Sequence, residues 1–523
     1  MSDNPDRAPW WKQGVIYQVY PRSFQDSDGD GVGDLAGVAA RLDHIARLGV
    51  DAIWLSPIFP SPMADFGYDV ADYCAIDPLF GDMAAFDALL AAAHARGLKL
   101  LLDFVPNHSS DQHPWFIESR SSRDNPKRDW YIWRDARPNG GPPNNWISDF
   151  GGSAWEWDAA TGQYYLHAFL KEQPDLNWRN PDLRRAMLDV LHFWLDRGVD
   201  GFRIDVLWHI VKADGLPDNP PNPDWTVDQT ERDRLIQLYS TDQPEAHAIS
   251  AEFRALADDY GDRVLIGEIF LPNHAHARWY GTPERPQVHL PFNFQLIEND
   301  WDAAVLRRVI ADYDASLPAH GWPNWVIGSH DARRIAERIG EAQARVAAML
   351  LLTLRGTPTL YQGDETGIGK VDIPADRIRD PQHFRQPSLN IGRDRSRTPM
   401  AWDDTPNAGF STDEPWLPLH PDWKTRNVAA QAADPGSMLA LYRALLALRR
   451  SEPALALGTM TLVEAPAGVL AYARIGDERR LSVLLNLTSD TIIIDWRGKP
   501  LLSTLAGQPE PGRLRPNEGI ILA

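Results

Sequence analysis

Short apolar runs alternate with longer segments of helical hydrophobic spacing through most of the 523-residue chain. The runs are rich in leucine, β-branched and aromatic residues, as buried parallel strands are. The predicted strands are Val15–Tyr20, Asp51–Pro57, Leu98–Val105, Gly201–Val206, Val264–Glu268, Val288–Phe294, Trp325–Asp331 and Thr357–Tyr361. Because no glycine-rich dinucleotide-binding turn follows the first run, this series predicts a closed (β/α)8 TIM barrel of the α/β class rather than an open doubly wound sheet.

The segments between these runs place their apolar residues on one helical face. Gly49 and Gly97 each follow such a segment directly, where a glycine can end a helix in the left-handed conformation. The predicted helices are Leu35–Leu48, Met83–Arg96, Leu183–Arg197, Ala246–Asp259, Trp301–Tyr313, Ala342–Arg355 and Ser437–Arg449.

Some stretches break this rhythm. Residues 106–178 are rich in Trp, Pro, Asn and Asp and are too long for a bare loop, so they predict an inserted subdomain after the third strand. Residues 212–227 are proline-rich, and residues 362–424 form a long loop after the eighth strand. Alternating runs near the end of the chain predict a small antiparallel β-sandwich. The expected organisation is barrel over 1–105 and 179–453, inserted subdomain over 106–178 and sandwich over 454–523.

Composition narrows the classes of function. The net charge of −20 argues against binding nucleic acid or anionic membrane through a general electrostatic field. The single cysteine, Cys74, excludes an intramolecular disulfide and suits a reducing compartment. The start of the chain shows no signal-peptide pattern, and no apolar stretch reaches the length of a bilayer span. We therefore expect a cytoplasmic protein whose partner is a small molecule.

Carboxylates stand at or near the ends of several predicted strands, where barrel enzymes place their active sites. They are Asp103, Asp205, Glu268 and Asp331. Arg203 and Asp205 lie two residues apart and therefore leave their strand on the same face. Such a cluster suits either a metal centre or the cleavage of glycosidic bonds. The only His-x-His pair, His274 and His276, is interpreted as surface, and no His-Glu-x-x-His motif occurs, which disfavours a catalytic metal.

These carboxylates lie in motifs that resemble a known family. The motifs are Asp103–His108, Gln173–Asn177, Gly201–Val206, Gly267–Glu268, His330–Asp331 and Gly356–Glu365. Together, and in this order, they are similar to the α-amylase family of glycoside hydrolases, and within it to the bacterial α-glucosidases and oligo-1,6-glucosidases. The resemblance covers nearly the whole chain.

The resemblance implies a retaining, exo-acting α-glucosidase that cleaves short oligosaccharides at the non-reducing end and also transfers glucosyl groups. Asp205 corresponds to the nucleophile that forms a covalent glycosyl-enzyme, and Glu268 to the general acid and base. Asp331 corresponds to the residue that stabilises the oxocarbenium-like transition state. Arg203 would keep Asp205 ionised, and crowding by Asp205 and Asp331 would raise the pKa of Glu268.

Other residues match substrate-binding positions of the family. Tyr68 corresponds to the stacking platform of the glucose pocket, and Asp65 to a residue that binds the far hydroxyls and so suits exo-action. His108 and His330 correspond to residues that hydrogen-bond the same glucosyl unit. Phe150 and Phe169 resemble residues that form the walls on the leaving-group side, and Arg393 resembles an arginine of the pocket.

The segment Asp26–Asp34 reads Asp-Ser-Asp-Gly-Asp-Gly-Val-Gly-Asp, with oxygen-bearing residues alternating around Gly31 as in a Ca²⁺ loop. Gly37 stands where a full EF-hand would have glutamate. Because related α-glucosidases hold a structural metal here, the resemblance implies Ca²⁺, or alternatively Mg²⁺, and no catalytic cofactor. The implied ligands are Asp26, Asp28, Asp30, the Val32 carbonyl and Asp34.

Two positions bear on specificity. Ser329 precedes His330 where the family usually has asparagine, so the positioning of the sugar is expected to differ. Val206 follows the nucleophile as in enzymes that favour α-1,6 bonds, whereas threonine there accompanies α-1,4 preference. One alternative function is a sucrose- or maltose-isomerising enzyme of the same family, of the isomaltulose or trehalose synthase type. Another is a non-catalytic, transporter-associated relative, which is disfavoured because all three acids are present.

Overall fold

Eight parallel strands close into a barrel, which confirms the predicted fold class. The computed structural model describes residues 8–477 and 479–523 and pairs each strand with its neighbours in chain order, the first also with the last. The strands are β1 (Ile16–Val19), β2 (Ala52–Leu55), β3 (Lys99–Phe104), β4 (Gly201–Ile204), β5 (Val264–Gly267), β6 (Leu290–Asn293), β7 (Asn324–Val326) and β8 (Thr357–Tyr361).

The main helices follow the predicted segments with one internal break. They are Leu35–Ala40, Leu42–Leu48, Met83–Ala95, Pro181–Asp196, Pro244–Asp259, Ala303–Ser316, Glu341–Thr353 and Met438–Ser451. The first two were expected as a single helix, but Arg41 leaves helical geometry between them (φ −103°, ψ 7°). Its guanidinium donates to Gln25 at 2.6 Å and lies over the ring of Trp402. This tertiary contact stabilises a break that hydrophobic periodicity does not reveal.

A glycine allows β4 and β5 to adjoin closely. Gly201 begins β4 with a φ of +149°, and a Cβ atom there would lie 2.0 Å from the carbonyl oxygen of Val264 on β5. Any larger residue would force these two strands apart. The pairing brings the ends of β4 and β5, which carry Asp205 and Glu268, side by side.

Residues 106–178 leave the barrel between β3 and β4. They contain the helix Pro114–Ser121 and a three-stranded antiparallel sheet of Trp133–Arg134, Gln163–Leu166 and Trp155–Asp158. Phe116 stacks on Trp133 with ring centroids 5.6 Å apart and meets Tyr165 edge-on. This segment is therefore held by aromatic packing of its own.

The C-terminal strands are antiparallel, as predicted. Five of them form one sheet, Thr459–Val463, Val469–Ile475, Arg480–Asn486, Gly519–Leu522 and Pro500–Ser503, and a two-stranded ribbon joins Ile492–Ile493 to Arg513–Leu514. Val469 and Leu484 of the sheet pack with Leu514 of the ribbon in one apolar cluster. The two layers thus share a small core.

Residues 362–424 contain only short helical turns: Asp364–Thr366, Ala375–Arg377, Pro381–Arg385, Pro387–Leu389, Asp394–Ser396 and Pro406–Gly409. In the part of the chain that is described, no helix has the length and apolar character needed to cross a membrane.

The surface interpretation of the His-x-His pair is half wrong. His274 is exposed, but His276 is only 3% exposed and lies with Nε2 2.8 Å from the carbonyl oxygen of Phe292.

Candidate active site

A pocket of about 500 Å³ opens at the carboxyl ends of the barrel strands. Most of the residues that the family resemblance selects line it: Asp65, Tyr68, His108, Phe150, Phe169, Asp205, Glu268, Asp331 and Arg393. The other two, Arg203 and His330, lie beneath this lining and border a second, smaller cavity. The structure therefore gathers all of the predicted catalytic and sugar-binding residues into one region.

Arg203 joins the acidic residues at the base of this pocket. Its Nη1 donates to Asp205 at 2.7 Å and to Asp103 at 2.8 Å, and its Nη2 donates to Glu268 at 2.6 Å. The side chain is buried, so these ion pairs are shielded from solvent. Asp103 also accepts hydrogen bonds from Tyr68 and Trp54, which fix it in place.

Arg203 was expected to keep Asp205 ionised, but other influences on the pKa of Asp205 are stronger. Burial and the charges of Glu268 and Asp103 raise the pKa of Asp205 well above its usual range, although Arg203 opposes them. Burial and the charge of Asp331 raise the pKa of Glu268 as well, again against Arg203. Two neighbouring carboxyls with raised pKa values titrate as a pair. The pair can thus hold one proton at a pH where ordinary carboxyls are fully ionised.

Asp331 differs from this pair because two arginine side chains lie beside it and because it is more exposed. Its Oδ1 accepts from Arg397 at 2.8 Å and from Arg393 at 3.3 Å, and its Oδ2 lies 3.1 Å from Nε2 of His330. Burial acts in the opposite direction, but these three groups hold the pKa of Asp331 well below its usual range. Asp331 is therefore a fixed negative charge at the edge of the pocket.

The two predicted sugar-binding histidines are buried and neutral. Burial lowers the pKa of His330 to about 3 and that of His108 to about 4. His330 stacks on Tyr68, with ring centroids 5.4 Å apart and planes 5° from parallel. His108 has its Nε2 3.1 Å from the Gln173 amide. His108 lines the pocket and can meet sugar hydroxyls, whereas His330 lies beneath the lining with its ring nitrogens next to Gln18, Tyr68 and Asp331.

Asp65 and Arg393 form an ion pair at one side of the pocket. Arg393 Nη2 donates to Asp65 Oδ1 at 2.7 Å and to Asp380 at the same distance. Burial raises the pKa of Asp65, whereas Arg393 lowers it. The guanidinium also lies 5.4 Å from the centre of the Phe150 ring. Arg393 thus links the loop after β8, the loop after β2 and the inserted segment.

The sequence analysis did not identify several residues in or next to the pocket. Phe270, which is 43% exposed, stacks on Phe294 with centroids 4.0 Å apart. It stands two residues after Glu268, a spacing that could have indicated it. Asp149 and Arg232 form an ion pair of 2.8 Å at the wall. Arg397 and Asp380 do not line the pocket but bind Asp331 and Arg393, and they come from the irregular loop after β8, where no pattern predicts their place.

The two specificity positions have different surroundings. Val206 lines the pocket and adopts a left-handed backbone (φ +34°), which is costly for a β-branched residue and is concentrated at functional sites. Its amide donates to Glu268 at 3.0 Å. Ser329 lines the smaller cavity rather than the pocket, and its Oγ accepts from the amide of Asp331 at 3.2 Å. Its expected effect on sugar positioning is therefore indirect.

The acidic loop brings only part of its predicted ligand set together. One carboxylate oxygen from each of Asp26, Asp28 and Asp34 lies within 4.8 Å of the other two. Within the described residues this group does not include Asp30, whose Oδ1 accepts from the amide of Val32 at 2.8 Å. Asp34 also caps the helix Leu35–Ala40 by accepting from the Gly37 amide. A divalent cation suits three converging carboxylates.

The chain matches known proteins over most of its length. The family model for the alpha amylase catalytic domain matches residues 18–458. A probable alpha-glucosidase of Rhizobium meliloti (strain 1021) is 42% identical over 500 residues, which cover 93% of this chain and 90% of that protein. The oligo-1,6-glucosidase of Parageobacillus thermoglucosidasius is 39% identical over 518 residues, 92% of this chain and 91% of that protein.

Two solved structures superpose closely on the whole chain. The alpha-glucosyl transfer enzyme XgtA gives a TM-score of 0.93 at 40% identity, with 99% of this chain and 100% of that chain covered. The trehalulose synthase MutB of Pseudomonas mesoacidophila MX-45 gives 0.91 at 37% identity, with 99% of each chain covered. These proteins thus share both the barrel and its additions with this chain.

Proposed function

Because this chain belongs to the α-amylase family of glycoside hydrolases, we propose that it is a retaining, exo-acting α-glucosidase of short oligosaccharides that also transfers glucosyl groups. The observation that carries the proposal is the pair of carboxylates, Asp205 and Glu268, held by one buried guanidinium in the pocket. Two carboxyls of which one is protonated are what a double displacement at a sugar carbon requires.

In the first step Asp205 attacks the anomeric carbon of the bound glucosyl unit. The bond from that carbon to the leaving oxygen breaks, and Glu268 gives its proton to this oxygen. Arg203 donates to both carboxylates, so it stays in place while charge passes from one to the other. The product is a covalent glucosyl ester of Asp205 and a free leaving-group sugar.

In the second step Glu268 acts as base. It takes a proton from water, the water oxygen attacks the anomeric carbon, and Asp205 leaves as carboxylate. Two inversions give net retention, so glucose is released as the α-anomer. If a sugar hydroxyl takes the place of water, the same step forms a new glucoside.

Asp331 and the histidines support the transition state between these states. The ionised Asp331 places negative charge near the sugar ring, where positive charge develops. His108 and His330 are neutral, so neither ring opposes that positive charge. Their rings are locked by Gln173, Gln18 and Tyr68, which reduces reorganisation during the reaction.

Exo-action is supported by the pair Asp65 and Arg393. These two side chains meet at 2.7 Å at the pocket wall, with Asp65 only 4% exposed. A glucosyl unit that reaches Asp205 would have its far hydroxyls against this pair, which leaves no path for a further sugar. The proposed substrates are therefore short α-glucosides with a free non-reducing end.

A sucrose-isomerising enzyme is the second candidate, because MutB acts on sucrose and shares this fold. Product analysis separates the two. With maltose, isomaltose and sucrose as substrates, the proposed function predicts glucose and transfer oligosaccharides, whereas a dominant isomerised disaccharide supports the alternative.

Asp205→Asn should abolish release of nitrophenol from nitrophenyl α-glucoside, and substantial retained turnover would contradict the mechanism. Nuclear magnetic resonance of fresh product should show α-glucose first.

For the acidic loop we propose one structural cation, Ca²⁺ or Mg²⁺, with no catalytic part. Asp26, Asp28 and Asp34 would supply carboxylate oxygens, and Asp30 and the Val32 carbonyl would complete the site. The donor set is all oxygen, which suits these hard cations. Because Asp26 binds the amides of Gly29 and Gly31, the cation would brace the turn before the first barrel helix.

A further inference from the structure

A second cavity of about 230 Å³ lies beside the pocket and borders the same Glu268 carboxyl side chain. Glu268, Phe270 and Asp331 line both spaces. The rest of the cavity wall is largely apolar and includes Phe292 and Val326 from the barrel interior. The proposed mechanism places no sugar in this cavity.

Polar atoms in the wall of this cavity are left without protein partners. Gln18 Oε1, Arg203 Nε and Arg338 Nε are buried and have no hydrogen-bond partner among the described residues. The Gln18 and Arg203 side chains are 1% and 2% exposed. Buried polar groups without protein partners are usually satisfied by ordered water. The volume is many times the roughly 15 Å³ that one water molecule needs.

The free oxygen of Gln18 follows from the histidine that Gln18 holds. His330 is neutral, and its Nε2 lies 2.7 Å from the Tyr68 hydroxyl and 3.1 Å from the ionised Asp331. Because the Tyr68 hydroxyl donates to Asp103, both neighbours of Nε2 accept, so Nε2 carries the ring proton. Nδ1 must then accept, and the group at 2.8 Å that donates to it is the NH2 of Gln18. The orientation of the Gln18 amide is thereby fixed, and its oxygen is left without a partner among the described residues.

We propose that this side cavity binds the water that Glu268 activates in the second step. The inference rests on the proposed function and adds to it a separate water supply. Glu268 accepts from Arg203 and Val206 on Oε2, which leaves Oε1 for substrate or water. The cavity wall runs from buried Gln18 to the surface residues Phe270 and Arg333. Water can therefore reach Glu268 while a leaving sugar still fills the main pocket mouth.

The supply of water sets the balance between hydrolysis and transfer. A glucosyl-enzyme is consumed either by water or by an acceptor hydroxyl, and the two compete for the same carbon. Reducing the cavity removes ordered water without touching the acceptor path. Val326 lines the cavity and does not line the pocket, which makes it the position to change.

The test uses nitrophenyl α-glucoside with glycerol as acceptor, because glycerol is not itself cleaved. Nitrophenol counts every glucosyl-enzyme formed, and free glucose counts those that water consumed. We expect Val326→Leu and Val326→Met to lower the glucose-to-nitrophenol ratio by about threefold or more. Without glycerol their steady-state turnover should fall, and glycerol should restore it, since formation of the glucosyl-enzyme needs no water.

Val264→Leu is the matched control. Val264 belongs to the same inner-barrel cluster but does not line the cavity, so the same added methylene should leave the ratio unchanged. Unfolding midpoints verify that the variants fold. If the wild type releases no nitrophenol, the proposed function fails. If the wild type releases nitrophenol and the folded Val326 variants keep the wild-type ratio of glucose to nitrophenol, the proposal that the cavity supplies the water is refuted.

A crystal structure of the wild type tests the site independently of activity and of the variants' folding. It should show ordered water within hydrogen-bond distance of Gln18 Oε1 and Arg203 Nε. A cavity without such water, or one filled by an ordered sugar, would overturn the proposal.

Discussion

Arg203 Nη2 lies 2.6 Å from Glu268 Oε2, so the guanidinium that binds Asp205 also binds the proposed acid and base. One buried cation thus couples the two carboxyls whose proton exchange the mechanism requires. Because Asp103 shares the same guanidinium, its charge also acts on the pair. Changes at Asp103 should therefore alter the pH dependence of the enzyme without removing a substrate contact.

Asp103→Asn should shift the acid limb of the pH profile of kcat/KM to lower pH. The charge of Asp103 raises the pKa of Asp205, so its removal lowers that pKa and Asp205 becomes ionised earlier as the pH rises. The measurement is kcat/KM for nitrophenyl α-glucoside as a function of pH. Asp200→Asn removes a buried carboxylate just before β4, at the opposite end of the strand, and should leave the limb in place. An acid limb that moves upward would contradict the coupling.

Asp65→Ala should weaken binding of the terminal glucosyl unit. Loss of a buried, charge-assisted contact should lower kcat/KM by about 10- to 100-fold, mainly through KM. Kinetics with maltose and nitrophenyl α-glucoside measure this effect. Asp72→Asn, at an exposed position nearby, serves as control. An oligosaccharide blocked at its non-reducing end should resist the wild type, and its ready cleavage would refute exo-action.

Val206→Thr should raise the preference for maltose over isomaltose by about tenfold. Both side chains are β-branched, so the left-handed backbone at this position is equally strained in the two proteins, and only the hydroxyl is new. The ratio of kcat/KM for the two disaccharides is the measurement. Val211→Thr makes the same change at a buried position outside the pocket and should not move the ratio. Equal shifts in both variants would show that the effect is not local.

Removal of divalent cations should lower the thermal unfolding midpoint, and Ca²⁺ or Mg²⁺ should restore it, because a bound ion stabilises only the folded state. Asp28→Asn should abolish this response. Asp28 is exposed, so the substitution should change the stability of the cation-free protein little. Calorimetric scans with chelator and with added metal measure the effect, and Asp72→Asn should retain it. If neither chelator nor added metal changes the unfolding midpoint of the wild type, the proposed cation site is refuted.

Buried His276 should make the fold sensitive to acid. Burial lowers its pKa from 6.5 to about 4, so between these values the unfolded state binds more protons than the folded state. The free energy of unfolding therefore falls as the pH falls through this window, by about 2 kcal/mol at pH 5. His276→Gln can still donate to the Phe292 carbonyl, and its loss of stability between pH 7 and pH 5 in denaturant titrations should be about 2 kcal/mol smaller than that of the wild type. His274→Gln, at an exposed position, should not.

Hydrophobic periodicity was sufficient for the barrel and for the core of the site. The two-residue repeat of a strand places Arg203 and Asp205 on one face whatever the rest of the chain does. Barrel closure then brings Glu268 and Asp331 to the same end. The residues that came from the family resemblance, such as Asp65 and His108, also line the pocket.

Other features depend on contacts between residues that are distant in the chain, and local pattern cannot specify these. Arg393 and Arg397 reach Asp331 from an irregular loop whose path is set by packing alone. His276 is buried because the turn after β5 folds onto Phe292 of β6. The side cavity exists because side chains from several strands fail to fill the space beside Glu268. Strand periodicity and the family motifs were enough to select the groups proposed to carry the chemistry. Their charge states and the space around them depend on burial and on neighbours that barrel closure brings together, so these required the folded structure.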